Sequence, residues 1–260
     1  GAVFALEVLT RGRTHYEALV PCLLAAVIGD RTTTAWGVGH THYRIDFSSL
    51  PVDGVAFGLL ALKVTLAAGA FAVASLLFAR LTHGLNAGLR RFVPQSWLRP
   101  AIGGGVVVLL VLLLGDRDYL GLGVSAPPDD PGAVTIQSCF RPGGAAWFSW
   151  GWKLLFTAVT VSSGFKGGEV TPLFFIGAAL GHSLGRLLGV PVDVMAGLGF
   201  VAVFAGATNT PLACTIMAIE LFGTGPGGLS PSFVVLAALA CFLSYFLSGR
   251  SGIYQAQRTE

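Results

Sequence analysis

The stretch GFKGGEVTPLFFIGAALG, residues 164–181, joins a charged, glycine-rich turn directly to an apolar helical pattern. Thr171 is a favoured residue for a helix N-cap and Pro172 for the first helical position, so we expect the helix to begin there. Gly167 and Gly168 allow the backbone to turn sharply and to approach a ligand closely. Because the unpaired N–H groups at a helix start attract anions, the segment predicts an anion site within very hydrophobic sequence.

The composition predicts a membrane protein. Hydrophobic residues make up 53% of the 260 residues and charged residues only 11%. Four runs contain no Asp, Glu, Lys or Arg, namely 64–79, 101–115, 194–219 and 221–249. With 36 glycines and 13 prolines in the chain, we expect tilted and broken helices rather than a plain bundle, a feature typical of transporters. The sequence therefore predicts an all-α protein embedded in a lipid bilayer.

The distribution of charge indicates an orientation and excludes one class of partner. Segment 80–99 carries four arginines and no acid, whereas segment 116–130 carries four aspartates. Since basic residues concentrate on the cytoplasmic side, we expect 80–99 to lie inside and 116–130 outside. Alternation then places 39–53 outside. The net charge of +3 is too small and too dispersed to indicate nucleic-acid binding.

Helical segments and linkers follow from the hydrophobic pattern and its breaks. We expect linkers at 39–53, 87–96 and 116–142, the last containing the exposed-loop sequence APPDDPG. A tail helix is expected from about residue 251. The expected helices lie at 1–9, 14–38, 54–86, 97–115, 143–163, 171–188, 194–207, 211–222 and 231–248.

A weak internal repeat pairs GAVFALEV at 1–8 with CTIMAIEL at 214–221, so that Glu7 falls on Glu220. Eight residues with two identities also arise by chance. If the repeat is real, the second copy has long apolar sequence before it and the first copy has none. We therefore expect the C-terminal part of an inverted-repeat transporter, with the first repeat largely missing. Proteolytic processing is the alternative explanation of a chain that starts at Gly1.

Four motifs in the order of one family give this sequence a resemblance to the CLC chloride channels and anion/proton antiporters. GGEVTP (167–172) falls on the GxFxP helix start of that family, and TNTPLACTIMAIELFG (208–223) on its apolar-PL-glutamate helix. YLGLGV (119–124) is also similar, and GRSGIYQ (249–255) resembles the segment with the pore tyrosine, which falls on Tyr254. The resemblance covers nearly the whole chain.

The resemblance implies a domain organisation and a dimer. Residues 1–38 would end the first repeat, 39–53 would form an external loop, 54–248 the second repeat and 249–260 a C-terminal helix segment. Intact relatives are homodimers, and here the dimer helices would be 14–38 and 211–248. The serine loop and the gating glutamate of the family would precede Gly1.

Departures from the family pattern resemble its fluoride-exporting branch. There, a glutamate and a threonine take part in ion handling, and the matching residues here are Glu169 and Thr171. Val170 replaces the usual phenylalanine. Val8 falls where chloride/proton antiporters have an internal proton-transfer glutamate, so that proton route is absent as such, and Glu169 would supply a carboxylate instead.

The candidate anion site therefore comprises Gly167, Gly168, Val170, Thr171 and Tyr254. The Thr171 hydroxyl can donate to an anion beside the helix-start N–H groups, and the plainer alternative is an N-cap. For Tyr254 the alternative is an interfacial aromatic anchor.

Glu169 is the candidate proton-handling residue, because ionisable groups in membranes are often functional. Its alternative is a solvated loop glutamate paired with Lys166. Lys63 and Lys153 interrupt apolar segments, and snorkelling to an interface explains them more simply than an electrostatic role, particularly for Lys153.

The remaining polar residues predict no catalytic, metal or cofactor site. Glu7 and Glu220 end apolar stretches and are expected to serve helix termini. The pair His40 and His42, with Asp46 nearby, suits a metal, but a polar external loop explains it more simply. The spacing of polar residues indicates no catalytic triad or carboxylate pair, so we expect no enzyme.

The sequence predicts anion transport across a bacterial plasma membrane, most directly the exchange of fluoride for protons. A chloride channel or chloride/proton antiporter is the first alternative. A truncated membrane fragment that does not transport is the second.

Overall fold

The computed structural model describes residues 1–10, 14–39, 41–51, 54–127, 130–223, 228, 230–249, 251–254 and 257. These residues form nine α-helices and three single-turn 3-10 helices, and no β-strand is found among them, which confirms the all-α prediction. The α-helices are α1 (Ala2–Glu7), α2 (Leu19–Ala35), α3 (Gly54–Phe92), α4 (Leu98–Leu114), α5 (Ser149–Ser162), α6 (Val170–Leu188), α7 (Val192–Thr208), α8 (Pro211–Phe222) and α9 (Pro231–Leu247). The 3-10 turns are Tyr16–Ala18, Phe47–Ser49 and Ser138–Phe140.

Two helix boundaries differ clearly from the predicted ones. Helix α3 continues to Phe92, so most of the expected linker 87–96 is helical. The sequence there has no proline before Pro94, and Arg90 and Arg91 in the last turn suit the negative end of the helix dipole. Helix α5 begins at Ser149 rather than near 143. Gly143 adopts a left-handed backbone with φ of 75°, so the residues between Gly143 and Ser149 remain in a loop.

Helix α7 forms the centre of the molecule. Every residue from Val194 to Thr208 is buried. Helix α6 packs antiparallel along it at very short range, since a side chain at Gly177 would collide with the Gly199 carbonyl and one at Gly181 with the Met195 carbonyl. Such close helix contact through small residues is typical of membrane bundles.

Several chain segments meet at one end of α7. The Glu7 carboxylate accepts hydrogen bonds from the N–H groups of Leu212 (3.1 Å) and Ala213 (2.8 Å) at the start of α8. The Ser248 hydroxyl, just after α9, donates to the Gly206 carbonyl at 3.0 Å. Glu7 thus stabilises a helix terminus, as predicted, but the terminus is the start of α8 and not the end of its own helix α1.

The opposite end of α7 is covered by the loop 41–51. The N–H of Asp46 donates to the Asp193 carboxylate at 2.7 Å, and the Ser232 hydroxyl at the start of α9 donates to the Pro51 carbonyl at 3.0 Å. Tyr43 packs against Phe140 and Phe200 with ring centroids 5.3 Å apart in both cases. His40 of the predicted external HxH pair lies outside the described residues.

Two helical stretches are long and apolar enough to cross a membrane by length and composition, Tyr16–Ala35 and Gly54–Phe92. Four further apolar helices are shorter, with 10 to 17 residues: Leu98–Leu114, Val192–Thr208, Pro211–Phe222 and Pro231–Leu247. Since a straight span needs about 20 residues, the short lengths agree with the expectation of interrupted helices.

Candidate functional site

Helix α6 begins one residue earlier than predicted. Val170 is its first residue and Glu169 its N-cap, without a side-chain capping bond. The Glu169 carbonyl accepts the Leu173 N–H at 3.2 Å, which closes the first turn. The prediction that Thr171 caps the helix is therefore wrong. Pro172 is tolerated at the third position, because the N–H groups of the first turn have no partner inside the helix anyway.

The displaced cap leaves the Thr171 hydroxyl without a hydrogen-bond partner in the described part of the chain. Thr171 is half-buried, and the N–H groups of Val170 and Thr171 likewise find no acceptor among those residues. One hydroxyl and two amides at the positive end of a helix are donors of the kind that an anion requires.

The glycine-rich turn differs from the prediction in where it bends. Gly164 has a φ of 94°, in the region that favours glycine, whereas Gly167 and Gly168 have ordinary backbone angles. Both of these glycines are exposed, and an added side chain would meet no atom within 4 Å. The sharp turn therefore depends on Gly164, and the open space at Gly167 and Gly168 leaves room beside the helix start.

A cavity of about 410 Å³ brings Glu169 and Tyr254 together. Both side chains are half-buried. No ion pair joins Glu169 to the exposed Lys166 in the described structure. The other lining residues are Thr82, His83, Asn86, Val161 and Ile253.

The other candidate anion residues face different spaces. Gly167 and Gly168 line a cavity of about 210 Å³ together with the segment 119–122. Val170 lines a third cavity, of about 610 Å³, between α1, α2 and α8. Helix α6 therefore starts at the junction of three spaces, and the five candidate residues do not surround one closed pocket in the described chain.

Tyr254 is held in place by its neighbours in the sequence. The Ile253 N–H donates to the Ala207 carbonyl at 2.9 Å. The Gln257 side chain donates to the carbonyls of Val8 (3.0 Å) and Thr208 (3.1 Å) and accepts from the Asn209 amide (2.8 Å). Residues 251–254 and 257 are not helical, so the predicted tail helix is wrong for them, and the rest of it lies outside the described residues.

Lys153 does not snorkel to an interface, contrary to the prediction. It is fully buried, and its ammonium group donates to the carbonyls of Tyr119 (3.2 Å) and Gly121 (2.8 Å). The same group lies 5.0 Å from the centre of the Phe175 ring, a cation–π contact. Lys153 therefore fastens the YLGLGV segment to α5 and α6, directly beside the space lined by Gly167 and Gly168.

Sequence reasoning missed Gln257 and His83. No pattern in the sequence around Gln257 predicts its hydrogen-bond partners, since one of them, Val8, lies 249 residues away. His83 follows a long apolar run on α3, and its position near the arginines of 80–99 was the available signal. Only the packing of α3 against the start of α6 shows which groups it faces.

Comparison with known proteins identifies the family. The family model described as voltage-gated chloride channel matches residues 1–249. The chain belongs to this family. Members of the family are integral membrane channels and transporters rather than enzymes.

Two relatives match over the whole length of this chain. The chain is 46% identical over 265 residues to a chloride/fluoride channel protein of Pseudomonas syringae pv. tomato, covering 99% of this chain and 54% of that protein. It is 29% identical over 274 residues to the voltage-gated ClC-type chloride channel ClcB of Salmonella typhi, covering 100% of this chain and 60% of that one.

A solved structure supports the fold. The crystal structure of a CLC-type fluoride/proton antiporter matches with a TM-score of 0.86 at 32% identity, covering 99% of this chain and 60% of that chain. The CLC-type fold is thereby confirmed. This chain spans between half and two thirds of the length of these relatives.

Proposed function

We propose that the full-length protein carrying this chain exports fluoride in exchange for protons across a bacterial plasma membrane. The observation that supports this most directly is the start of α6, where a free hydroxyl and two free amides adjoin the half-buried carboxyl group of Glu169. A relative named a chloride/fluoride channel protein and a structure titled a fluoride/proton antiporter share this fold with the chain.

The chemistry of fluoride favours these donors. Fluoride is small and strongly hydrated, so a binding site must replace lost water with real hydrogen-bond donors. In our proposal the anion contacts Thr171 and the backbone of Val170, passes the open turn at Gly167 and Gly168, and meets the Tyr254 phenol. Glu169 takes up and releases the exchanged proton.

The assembly and the domain organisation are part of the same proposal. We expect a homodimer in the bilayer, formed through α2, α8 and α9, with no cofactor. Residues 1–38 would close a first repeat and 54–248 would form the second. A chloride channel or chloride/proton antiporter is the second candidate, favoured by the similarity to ClcB and by Val8.

Reconstitution of the full-length protein in liposomes tests the proposal. An inward proton gradient should drive fluoride transport, and chloride should be moved far less. Glu169→Gln should lower proton-driven fluoride transport by about 100-fold, the usual contribution of a proton-exchanging group. The matched control is Asp130→Asn, which makes the same change from acid to amide at an exposed carboxylate in the loop between α4 and α5 and should behave like the parent protein.

The possible results separate the candidate functions. Equal chloride and fluoride flux without proton movement would support a channel instead. Normal proton-driven exchange by the Glu169→Gln protein would remove Glu169 from the proton route. Absence of any flux from the intact protein would count against anion transport as its function.

A further inference from the structure

The cavity beside Glu169 contains a second group that can exchange protons. His83 of α3 lines this space of about 410 Å³ together with Glu169 and Tyr254. Like Glu169, His83 is half-buried. A carboxyl group and an imidazole therefore line one shared space at the start of α6.

The lining of the cavity suits water. The Thr82 hydroxyl is buried, with 6% of the residue exposed, and has no hydrogen-bond partner in the described structure. Asn86 adds an amide, one helical turn further along α3. Since a water molecule occupies about 30 Å³ and seeks two to four polar partners, the space can hold a short hydrogen-bonded chain of water.

The position of His83 along α3 indicates the side to which the cavity leads. His83 precedes the end of the helix at Phe92 by nine residues. At a rise of about 1.5 Å per residue, this places it about 14 Å from that end. Arg90 and Arg91 occupy the last turn, which marks it as cytoplasmic by the distribution of positive charge.

We propose that His83 relays protons between Glu169 and the cytoplasm, an inference that rests on the proposed fluoride/proton exchange. In the inward direction the protonated Glu169 carboxyl group gives its proton, through cavity water, to a neutral His83 imidazole. The imidazolium then releases that proton to cytoplasmic water and is neutral again. The Glu169 carboxylate returns to its protonated form when it takes up the next proton from the external side. The route needs no carboxyl group at position 8, which is Val8 in this chain.

The groups around His83 are compatible with this role. Glu169 faces it from the start of α6 and Tyr254 from the C-terminal segment, while α5 contributes the apolar Val161. On α3 itself the nearest charged residue is Arg80, three positions earlier. Glu169 is the carboxyl group among the described lining residues, so it is the proton donor and acceptor that His83 meets.

Variants of His83 in the reconstituted full-length protein test the relay. His83→Gln keeps the polar shape but cannot carry a proton, and should slow proton-driven fluoride exchange by at least about 10-fold. Fluoride affinity, measured by calorimetry on the purified protein, should not change, because the donors on α6 remain. His83→Glu restores a proton-exchanging group and should recover most of the lost rate.

Controls separate a relay from simple packing. His42→Gln makes the same substitution in the loop at the opposite end of α7 and should leave exchange unchanged. Parent-like exchange by His83→Gln would overturn the relay, as would equal losses in the Gln and Glu variants. If His83→Gln does not fold, His83→Asn provides the same comparison. Failure of the parent protein to couple fluoride to protons would instead count against the proposed function.

Discussion

At the scale of single residues, the displacement of the α6 cap by one position changes the role of Thr171. The hydroxyl oxygen of a capping threonine would accept a hydrogen bond from a backbone N–H of its own helix. Because Glu169 occupies the cap position, Thr171 lies in the first turn with a free hydroxyl beside two free amides. Because the helix starts one residue earlier than predicted, the Thr171 hydroxyl is available to a ligand.

Thr171→Val should weaken fluoride binding while the fold persists. Valine has nearly the same shape but no hydroxyl, and a hydrogen bond to a charged group contributes about 1.5–3 kcal/mol, so affinity should fall about 10-fold to 100-fold. Calorimetric titration of the purified full-length protein with fluoride measures this. Thr171→Ser keeps the hydroxyl and should bind nearly as the parent does. Equal affinities of the Val and Ser variants would show that the hydroxyl does not contact the anion.

At the scale of elements, the contacts of α7 determine where the start of α6 lies. Small residues bring the backbones of α6 and α7 together, and the far end of α7 anchors both α8 and the segment that carries Tyr254. The start of α6 and the phenol of Tyr254 are therefore positioned by the same buried helix.

Gly181→Ala should destabilise the α6–α7 pair. The added methyl group collides with the Met195 carbonyl, and overpacking of this kind costs about 1–3 kcal/mol. Thermal unfolding followed by size-exclusion chromatography should give a lower midpoint. Gly69→Ala on α3 is the control, since its methyl group meets no atom within 4 Å and alanine favours a helix. A parent-like midpoint for Gly181→Ala would show that the two helices have room to separate.

Gln257→Ala should loosen the segment that carries Tyr254. The substitution removes three side-chain hydrogen bonds that join the segment to Val8, Thr208 and Asn209. A loss of about 1–2 kcal/mol would raise the population of the open segment about 5-fold to 30-fold. Labelling of a Tyr254→Cys protein with a water-soluble maleimide should accelerate accordingly when Gln257→Ala is added.

Two comparisons make the labelling result specific. Gln95→Ala alters an exposed glutamine after α3 and should leave the labelling rate unchanged. The parent protein, whose cysteines at 139, 214 and 241 are buried, supplies the background. An unchanged rate in the Gln257→Ala protein would mean that the Ile253 bond alone holds the segment.

At the scale of the whole molecule, α2 contacts α1, but no element of the described chain buries it. None of its residues is buried, and Val20, Leu23, Leu24 and Ile28 are all at least half exposed. An apolar helix of this kind faces lipid or a second copy. Its location on the predicted dimer surface leads us to expect the second copy.

Ile28→Trp should weaken the dimer. Ile28 is 63% exposed, and a bulky ring at a packed interface costs about 1–3 kcal/mol, which raises the dissociation constant about 10-fold or more. The molar mass of the full-length protein in detergent, measured by light scattering across a dilution series, reports the change. Leu112→Trp, at a 74% exposed position on α4, should leave the mass unchanged. Equal behaviour of the two variants would remove α2 from the interface.

The all-helical class, the family and most helix limits follow from the amino-acid sequence alone. These features depend on local patterns, such as apolar runs, prolines at helix starts and motif order, which act within a few residues. The prediction that Glu169 and Thr171 are site residues also comes from the sequence, because both belong to one short motif. The errors at Thr171 and at the end of α3 concern single turns, where tertiary contacts outweigh local preference.

Which groups come into contact depends on how distant segments of the chain pack together. The burial of Lys153 depends on carbonyls more than 30 residues away, and the position of Tyr254 depends on a glutamine bonded to Val8. His83 and Glu169 line one cavity because of the way α3 packs against α6. Such contacts form between segments that are distant in the chain, because buried polar groups must find hydrogen-bond partners when the protein folds. A pattern of neighbouring residues in the sequence does not show which partners these are.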